Sequence, residues 1–391
     1  MNSTHLMSNY GTRALTLVRG EGSRVWDDQG KEYLDAVSGL AVCGLGHCHP
    51  AVTAALTNQA DTLVHCSNLF NIPHQQELAD KLSAISGLDR AFFCNSGTEA
   101  NEAAIKLCRL YAHSKSIENP EILVCEGAFH GRSLGALSAT WGSKARNGFA
   151  PLLEGFSHIP YGDISAVEAA ATNESIVAVM LEPIQGEAGV VIPPPEYLHQ
   201  LRSLCDTKGW LLVLDEIQTG NGRTGSYFAF QQSQAKPDIL TTAKGLGNGL
   251  PIGACLASKE IADLLVPGTH GTTFGGNPLV SRAACAVVDT IETEKLADRA
   301  KEIGSWLVDQ LQLRLGDLPQ VLDIRGAGLM LAIELSGPCS ELVALAANAG
   351  LIINVTGSNR VRLLPPLNIS NSDAHMLLDI LCPLIEAWEA K

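Results

Sequence analysis

Read for the spacing of hydrophobic and polar positions, the chain changes character twice. After Pro50, short uninterrupted apolar runs ("RAFFC", "EILVC", "IVAVML", "WLLVLD" and "DILTT") alternate with amphipathic segments of helix length, such as 98–113 and 195–208. Apolar runs of this kind between helices are buried on both faces, the pattern of a parallel sheet covered by helices. Before Pro50, "SRVWDDQGKEYLDA" reads as a hairpin of two short strands around Asp28-Gln29-Gly30-Lys31. From Asn277 onward, two long helical stretches (278–293 and 295–315) precede short strands at "VLDIRG", "LMLAIEL", "LIINV" and "RVRLL". A last helix starts near Ser372. The pattern predicts an α/β chain with a large domain over 46–276. A smaller α+β domain is expected from 277–391, completed by the hairpin in 1–45. Internal repeats, low-complexity tracts and linkers are not seen.

The bulk properties narrow the function. With 391 residues and 46% apolar content, a large core is available. The 27 basic against 41 acidic residues give a net charge of −14, which argues against nucleic acid or an anionic membrane as partner. The eleven cysteines contain no CxxC pair. Since "MNSTHLMSNYGTR" reads as no secretory leader, they are expected as reduced thiols in a cytoplasmic protein. Residues 36–60 lack Asp, Glu, Lys and Arg and are long enough to span a bilayer. Their histidines, proline, amides and glycines instead indicate a buried turn and the start of a helix. "GHCHP" lacks the usual ligand spacing of a metal site and no second cluster answers it, so no metal is expected.

Three places carry candidate chemistry, each at the carboxyl end of an expected strand, where doubly wound sheets bind ligands. "FFCNSGTEANEAAIKL" passes from a strand through Ser96-Gly97-Thr98 into a helix, a junction whose free N–H groups suit phosphate. A plain helix cap at Ser96 explains the same residues. "WLLVLDEIQTG" ends an apolar strand on Asp215, a carboxylate that needs a cation or donor once buried. "TTAKGLGNGLPIG" holds a single charge, Lys244. On its own this is equally well a solvated loop. In a dry pocket, though, such a lysine loses its proton readily and attacks carbonyls. A phosphate cradle, a buried carboxylate and a nucleophilic lysine together suit pyridoxal phosphate (PLP): the lysine takes the aldehyde and the carboxylate faces the pyridine nitrogen. A P-loop is excluded by the absence of Gly-Lys-Ser/Thr, and "GLGNGL" lacks the third glycine of a dinucleotide fingerprint.

The motifs "GHCHP", "SGTEANEAAIK", "FHGR", "EPIQGEAG", "DEIQTGNGRTG", "TTAKGLGNGLPIG", "HGTTFGGNPL" and "VRLLPPLNIS" occur in this order. On them the chain resembles the class III, fold type I PLP aminotransferases, most closely their acetylornithine branch in arginine biosynthesis. The resemblance extends from about Tyr10 to the C-terminus. It implies a mostly parallel seven-stranded sheet in the large domain and a homodimer with shared active sites. It also implies that Lys244 holds the cofactor aldehyde and later moves the proton, while Asp215 pairs with the pyridine nitrogen. Gly97 and Thr98 then hold the phosphate, with Thr273 of the other subunit. Phe129 stacks on one face of the ring, Ile217 packs on the other, and Gln218 bonds the phenolic oxygen. The glycines beside Lys244 let backbone approach the ring. Arg132 clamps a substrate carboxylate, Thr272 lies at the substrate edge across the dimer, and Arg362 takes the α-carboxylate of glutamate with Glu187 as its removable partner. Tyr10 reaches the donor's carboxylate end, and Leu40 stands where ornithine enzymes have a tyrosine, favouring a neutral acetamide.

The activity so implied is transfer of the δ-amino group of N-acetylornithine to 2-oxoglutarate, with succinyl-diaminopimelate as a second donor. Ornithine and 4-aminobutyrate are the alternative donors. Cys43 and "RLLPPL" depart from the branch's usual residues and bear on fine donor preference. A non-catalytic binding relative is the reading from another class, and the intact Lys244, Asp215 and phosphate cradle speak against it.

Overall fold

The computed structural model describes residues 5–10 and 13–389; the leader reading at 1–13 lies partly outside them. Among the described residues the strands are β1 (Leu17–Glu21), β2 (Arg24–Asp27), β3 (Glu32–Asp35), β4 (Arg90–Cys94), β5 (Glu121–Cys125), β6 (Phe156–Ile159), β7 (Ile176–Leu181), β8 (Leu211–Asp215), β9 (Ile239–Thr242), β10 (Gly253–Ala257), β11 (Val321–Ala327), β12 (Met330–Leu335), β13 (Leu351–Ile352), β14 (Asn354–Thr356) and β15 (Arg360–Leu363). They form one seven-stranded sheet, in the order β4-β10-β9-β8-β7-β5-β6, and two four-stranded sheets.

The large sheet is parallel from β9 through β6, and β10 alone runs against both of its neighbours. Every residue of β7 and β8 is buried, as their unbroken apolar runs require for strands covered on both sides. Two strands escape the apolar-run criterion. β10, "GACLA", is made of small residues, and the edge strand β6, "FSHI", is mostly half-buried. The helix Gly97–Ser114 packs against β4, β7, β8, β9 and β10. Its N-cap is Ser96, whose side chain accepts from Glu99 N–H.

The expected hairpin is β2–β3, joined by β1 on one side. On the other side β13 pairs in parallel with β3, Leu351 opposite Leu34, so the hairpin is completed by the C-terminal part of the chain. The last sheet, β11-β12-β15-β14, is antiparallel throughout. The helix Pro278–Thr293 packs on the helices Pro50–Ala60 and Pro73–Ser86 as well as on Leu296–Leu315. Among the described residues no helix is long and apolar enough to cross a membrane; residues 36–60 fold as turns followed by the helix Pro50–Ala60. All eleven cysteines are free.

The histidine of "GHCHP" has a structural task. His47 Nε2 lies 2.8 Å from Asp35 Oδ2, while Asp35 Oδ1 accepts from Val37 and Ser38 N–H. The hydrogen bond to Asp35, with a second at Cys43, pushes the imidazole up to about 10 against burial that opposes it. Among the described residues no cluster of three or more potential metal ligands forms. The ion pair ties the end of β3 to the turn before the helix Pro50–Ala60. Because folding raises this pKa, its stabilisation is fully present below the unfolded value of 6.5 and is lost as pH rises through about 10. His47→Gln should therefore lower the melting temperature most at pH 6, and the gap to the native protein should close towards pH 10. Partial exposure screens the pair and keeps the effect modest. Thermal melts of both proteins across that range check it.

Candidate active site

At the carboxyl ends of the central strands lies a cavity of about 380 Å³. Its lining includes Gly97, Thr98, Phe129, Arg132, Asp215, Ile217, Gln218 and Lys244, eight of the residues expected at the site. They come from four separate stretches of sequence, brought together by strand order: β8 lies between β7 and β9, and β5 lies next to β7.

Asp215, the last residue of β8, is 3% exposed. Three donors converge on it: Asn101 Nδ2 and His130 Nδ1 reach Oδ2 at 2.8 Å each, and Ile217 N–H reaches Oδ1 at 3.0 Å. Since a carboxylate oxygen accepts, His130 presents Nδ1–H to it. Asn101 is itself fixed, donating to the His130 carbonyl at 2.7 Å and accepting from Thr241 Oγ1 at 2.7 Å. The carboxylate is thus oriented from both sides before any ligand arrives. Among the described residues His130 Nε2 has no hydrogen-bond partner, though it is buried.

Lys244 follows β9 in left-handed backbone, φ +43°. Among the described residues its ammonium has no hydrogen-bonded acceptor. Burial pushes it below its ordinary value, the charge of Glu187 opposes that, and the charge of Arg362 adds to it. This is the environment in which a lysine becomes nucleophilic. Two of the neighbouring glycines have close contacts within the fold. A Cβ at Gly247 would meet the Leu250 carbonyl at 2.3 Å, and one at Gly245 would meet Asn221 at 3.1 Å. They permit the loop's own tight folding, and it is Ala243, Leu250, Pro251 and Ile252 that line the cavity.

Gly97 and Thr98 open the helix Gly97–Ser114, and their N–H groups have no acceptor among the described residues. A Cβ on Gly97 would lie 2.6 Å from Ile217 Cδ1, so only glycine lets Ile217 pack there. Thr98 Oγ1 is hydrogen-bonded to Ser133 Oγ at 2.8 Å. The exposed Arg132 lies over the Phe129 ring at 5.4 Å and has no carboxylate partner among the described residues.

Behind Gln218 sits Arg362, the largest fully buried side chain, 1% exposed. Its Nη1 donates to Glu187 Oε1 at 2.7 Å, to the Gly186 carbonyl at 2.9 Å and to Gln218 Oε1 at 3.2 Å. Burial resists ionisation of Glu187. The charge and hydrogen bond of Arg362, with help from Lys244 and Gln218, outweigh it and hold the carboxyl below its ordinary value. Glu187 is 35% exposed, so one member of the pair reaches solvent while the other is enclosed.

Glu187 and Arg362 thus adjoin Gln218 without lining the cavity themselves, and other expected residues lie farther off. Tyr10 belongs to a short 3-10 turn near the chain start and is 77% exposed, its ring against Arg13 rather than the cavity. Leu40 sits in left-handed backbone, 42% exposed, and Val42 is the residue of its segment that lines the cavity. Thr273 is exposed and outside the cavity of its own chain. Thr272 reaches the rim indirectly, its Oγ1 accepting from Asn95 Nδ2 at 3.1 Å. Conversely, sequence reasoning passed over Asn101, His130 and Glu182. Glu182 accepts from the N–H groups of Phe129 at 3.0 Å and Gly186 at 3.1 Å. Burial, with the nearby Asp215, pushes its carboxyl up. A polar Asn101 on the buried face of an amphipathic helix was the available signal.

The cavity fits PLP. A carboxylate fixed by three donors suits the pyridine nitrogen, the apolar Phe129 and Ile217 in the lining suit an aromatic ring, free helix N–H groups suit the phosphate, and the destabilised ammonium of Lys244 suits the aldehyde. Residues 7–385 match the family Aminotransferase class-III. The chain is 52% identical to the acetylornithine aminotransferase of Nitrosomonas europaea over 98% of both chains. The ornithine aminotransferase of Toxoplasma gondii ME49 superposes with a TM-score of 0.95 at 35% identity, covering 98% of this chain and 93% of that one. For the N-acetylornithine aminotransferase of Stenotrophomonas maltophilia K279a the TM-score is 0.85 at 37% identity, covering 97% and 98%. With a family match over nearly its whole length and a site that suits the family's cofactor, the chain belongs to the class-III aminotransferases.

Proposed function

We propose that this enzyme moves the δ-amino group of N-acetylornithine to 2-oxoglutarate, giving N-acetylglutamate semialdehyde and glutamate. One observation carries the reading: a fully buried arginine, Arg362, is covered by a partly exposed carboxylate, Glu187, beside a PLP-suited cavity. The two substrates differ next to the reacting amine, one presenting a neutral chain and the other a carboxylate. A bare arginine there would be costly in the first half-reaction. The curated relatives, up to 52% identical and named acetylornithine aminotransferases, favour N-acetylornithine as donor. The high TM-score to an ornithine aminotransferase makes ornithine the competing donor.

Bound PLP supplies the aldehyde and an electron sink for the carbon that carries the amine. Toward it we assign Lys244 as the residue that takes the aldehyde and moves the proton, Asp215 as partner of the pyridine nitrogen, and Gly97 and Thr98 as phosphate donors. Phe129 and Ile217 hold the ring between them, and Gln218 serves the phenolic oxygen. Arg132, exposed at the mouth, takes the carboxylate at the far end of either substrate. Arg362 takes the α-carboxylate of glutamate when Glu187 swings away.

We also propose a homodimer in which Thr273 of each subunit completes the phosphate site of the other. Its exposure outside its own cavity supports this. Nearby stand three exposed apolar side chains, Leu69, Phe70 and Phe274, on segments tied together by Asn68. A cytoplasmic location suits the biosynthetic role. For the domains we keep the expected division at 45/46 and 276/277, with the helix Pro278–Thr293, packed on both sides of that boundary, as the connector.

A donor panel with 2-oxoglutarate tests the activity: kcat/KM should be highest for N-acetylornithine, and a preference for ornithine would replace this assignment. Lys244→Ala should lower turnover by more than about a thousandfold, since it removes proton transfer along with covalent attachment. Borohydride treatment followed by mass spectrometry should leave the cofactor attached at Lys244 in the native protein and nowhere in the variant. Glu187→Ala should raise the rate ratio of glutamate to N-acetylornithine half-reactions by about tenfold or more, roughly 1.4 kcal/mol. Stopped-flow absorbance of each half-reaction measures the ratio, and an unmoved ratio defeats the switch.

A further inference from the structure

The guanidinium of Arg362 has two edges, and only one faces Glu187. Along the other edge, Nε and Nη2 both donate to a single oxygen, Asn354 Oδ1, at 3.2 and 2.8 Å. The contact is built into the sheet. β14 and β15 are antiparallel with Asn354 directly opposite Arg362, so the two side chains leave the same face. On the other side of β15 the residue opposite Arg362 is Ala332, buried and small. The row across the three strands is therefore Ala332, Arg362, Asn354: one neighbour with a side chain too short to hydrogen-bond, one with an acceptor at the right reach.

The arrangement separates the partners of Arg362 into two kinds. Glu187 approaches from a loop and is partly exposed, whereas Asn354 is fixed to the same sheet as the arginine. Without Asn354, the departure of Glu187 would leave Arg362 held only through Nη1, by the Gly186 carbonyl and Gln218, on the very edge that an incoming carboxylate must approach. An amide suits the second position because it holds the arginine without neutralising it. A carboxylate there would compete with the substrate.

We propose that Asn354 is a positioning residue for the second half-reaction. It holds Arg362 by the Nε/Nη2 edge so that only the Nη1 side changes partner, Glu187 leaving and the α-carboxylate of glutamate or 2-oxoglutarate arriving. The inference rests on the reading of Arg362 as the arginine that binds this carboxylate.

The test uses the PLP-loaded enzyme and follows each half-reaction separately by stopped-flow absorbance. The variants are Asn354→Leu, which keeps the branched shape and removes the acceptor, Asn354→Ala as a second way of removing it, and Arg362→Met as the control for the underlying reading. In whichever Asn354 variant folds, as judged by its melting curve, the half-saturating glutamate concentration should rise at least tenfold more than that of N-acetylornithine. The limiting rate at saturating glutamate should fall less than the affinity. Equal losses for both substrates would make Asn354 a packing residue, and an unchanged glutamate half-reaction would show that Arg362 keeps its aim without Asn354; either overturns the proposal. If Arg362→Met loses glutamate selectively while the Asn354 variants do not, the proposal alone fails. If Arg362→Met shows no selective loss, the reading of Arg362 falls and the role of Asn354 with it.

Discussion

A carboxylate buried at the end of the central strand is the constraint around which this site is arranged. Asp215 closes β8, fourth in a sheet of seven, after four fully buried apolar residues. Leaving such a group without donors would cost several kcal/mol, on the order of the penalty for an unpaired buried charge. Here Asn101 from the helix Gly97–Ser114, His130 from the loop after β5, and the Ile217 backbone all donate to it. Those donors in turn fix what surrounds them. Asn101 positions the helix whose first N–H groups face the cavity, and His130 sits between Phe129 and Arg132 in the chain. Meeting the needs of one carboxylate therefore sets the phosphate end, the stacking face and the mouth of the pocket together.

The second charge problem is solved differently. Arg362 is as buried as Asp215, yet its charged partner is the partly exposed Glu187. Breaking a buried pair by removing one member typically costs about 3–5 kcal/mol. A pair of this kind can be part of a catalytic cycle only if a substrate carboxylate replaces the group that leaves. In the proposed cycle this would make the arrangement selective: an amine donor without a carboxylate beside the reacting carbon would gain nothing by displacing Glu187, whereas glutamate would. Nearby, Glu182 accepts from both Phe129 and Gly186 N–H. The residue beside the cofactor space and the loop that carries Glu187 thus share one anchor.

Much of this was legible in the sequence because the parallel strands are long enough in apolar residues to announce themselves, and because Lys244 and Asp215 stand out as charges in apolar or glycine-rich surroundings. What escaped did so for physical reasons. β10 is built of small residues, and β6 is a half-buried edge, so neither gives an apolar run. Tyr10, Leu40 and Thr273 carry sequence signals that place them at the site, but one chain alone leaves all three outside its cavity. The close contacts of Gly245 with Asn221 and of Gly247 with the Leu250 carbonyl are likewise invisible in the sequence. Asn101, His130 and Asn354 act only through contacts between residues distant in sequence. Such pairings depend on strand order and register, which composition and periodicity do not encode.

Register has a further consequence for the gate. Side chains alternate faces along a strand, so a slip of one residue between β14 and β15 would turn Asn354 away from Arg362 and bring Val355 or Ile353 towards it. The aim of Arg362 toward Gln218 likewise depends on the pairing of β15 with β12, where Ala332 leaves it room. Both pairings belong to the last sheet of the chain, while Glu187, Gln218 and Lys244 belong to loops of the large sheet. The guanidinium is therefore a strut carried by one sheet to the loops of the other. Its hydrogen bonds to the Gly186 carbonyl and Gln218 join the two. Arginine is suited to that task where lysine is not. Its planar fork lets one edge be held while the other exchanges partners, and a single ammonium has no second edge to hold.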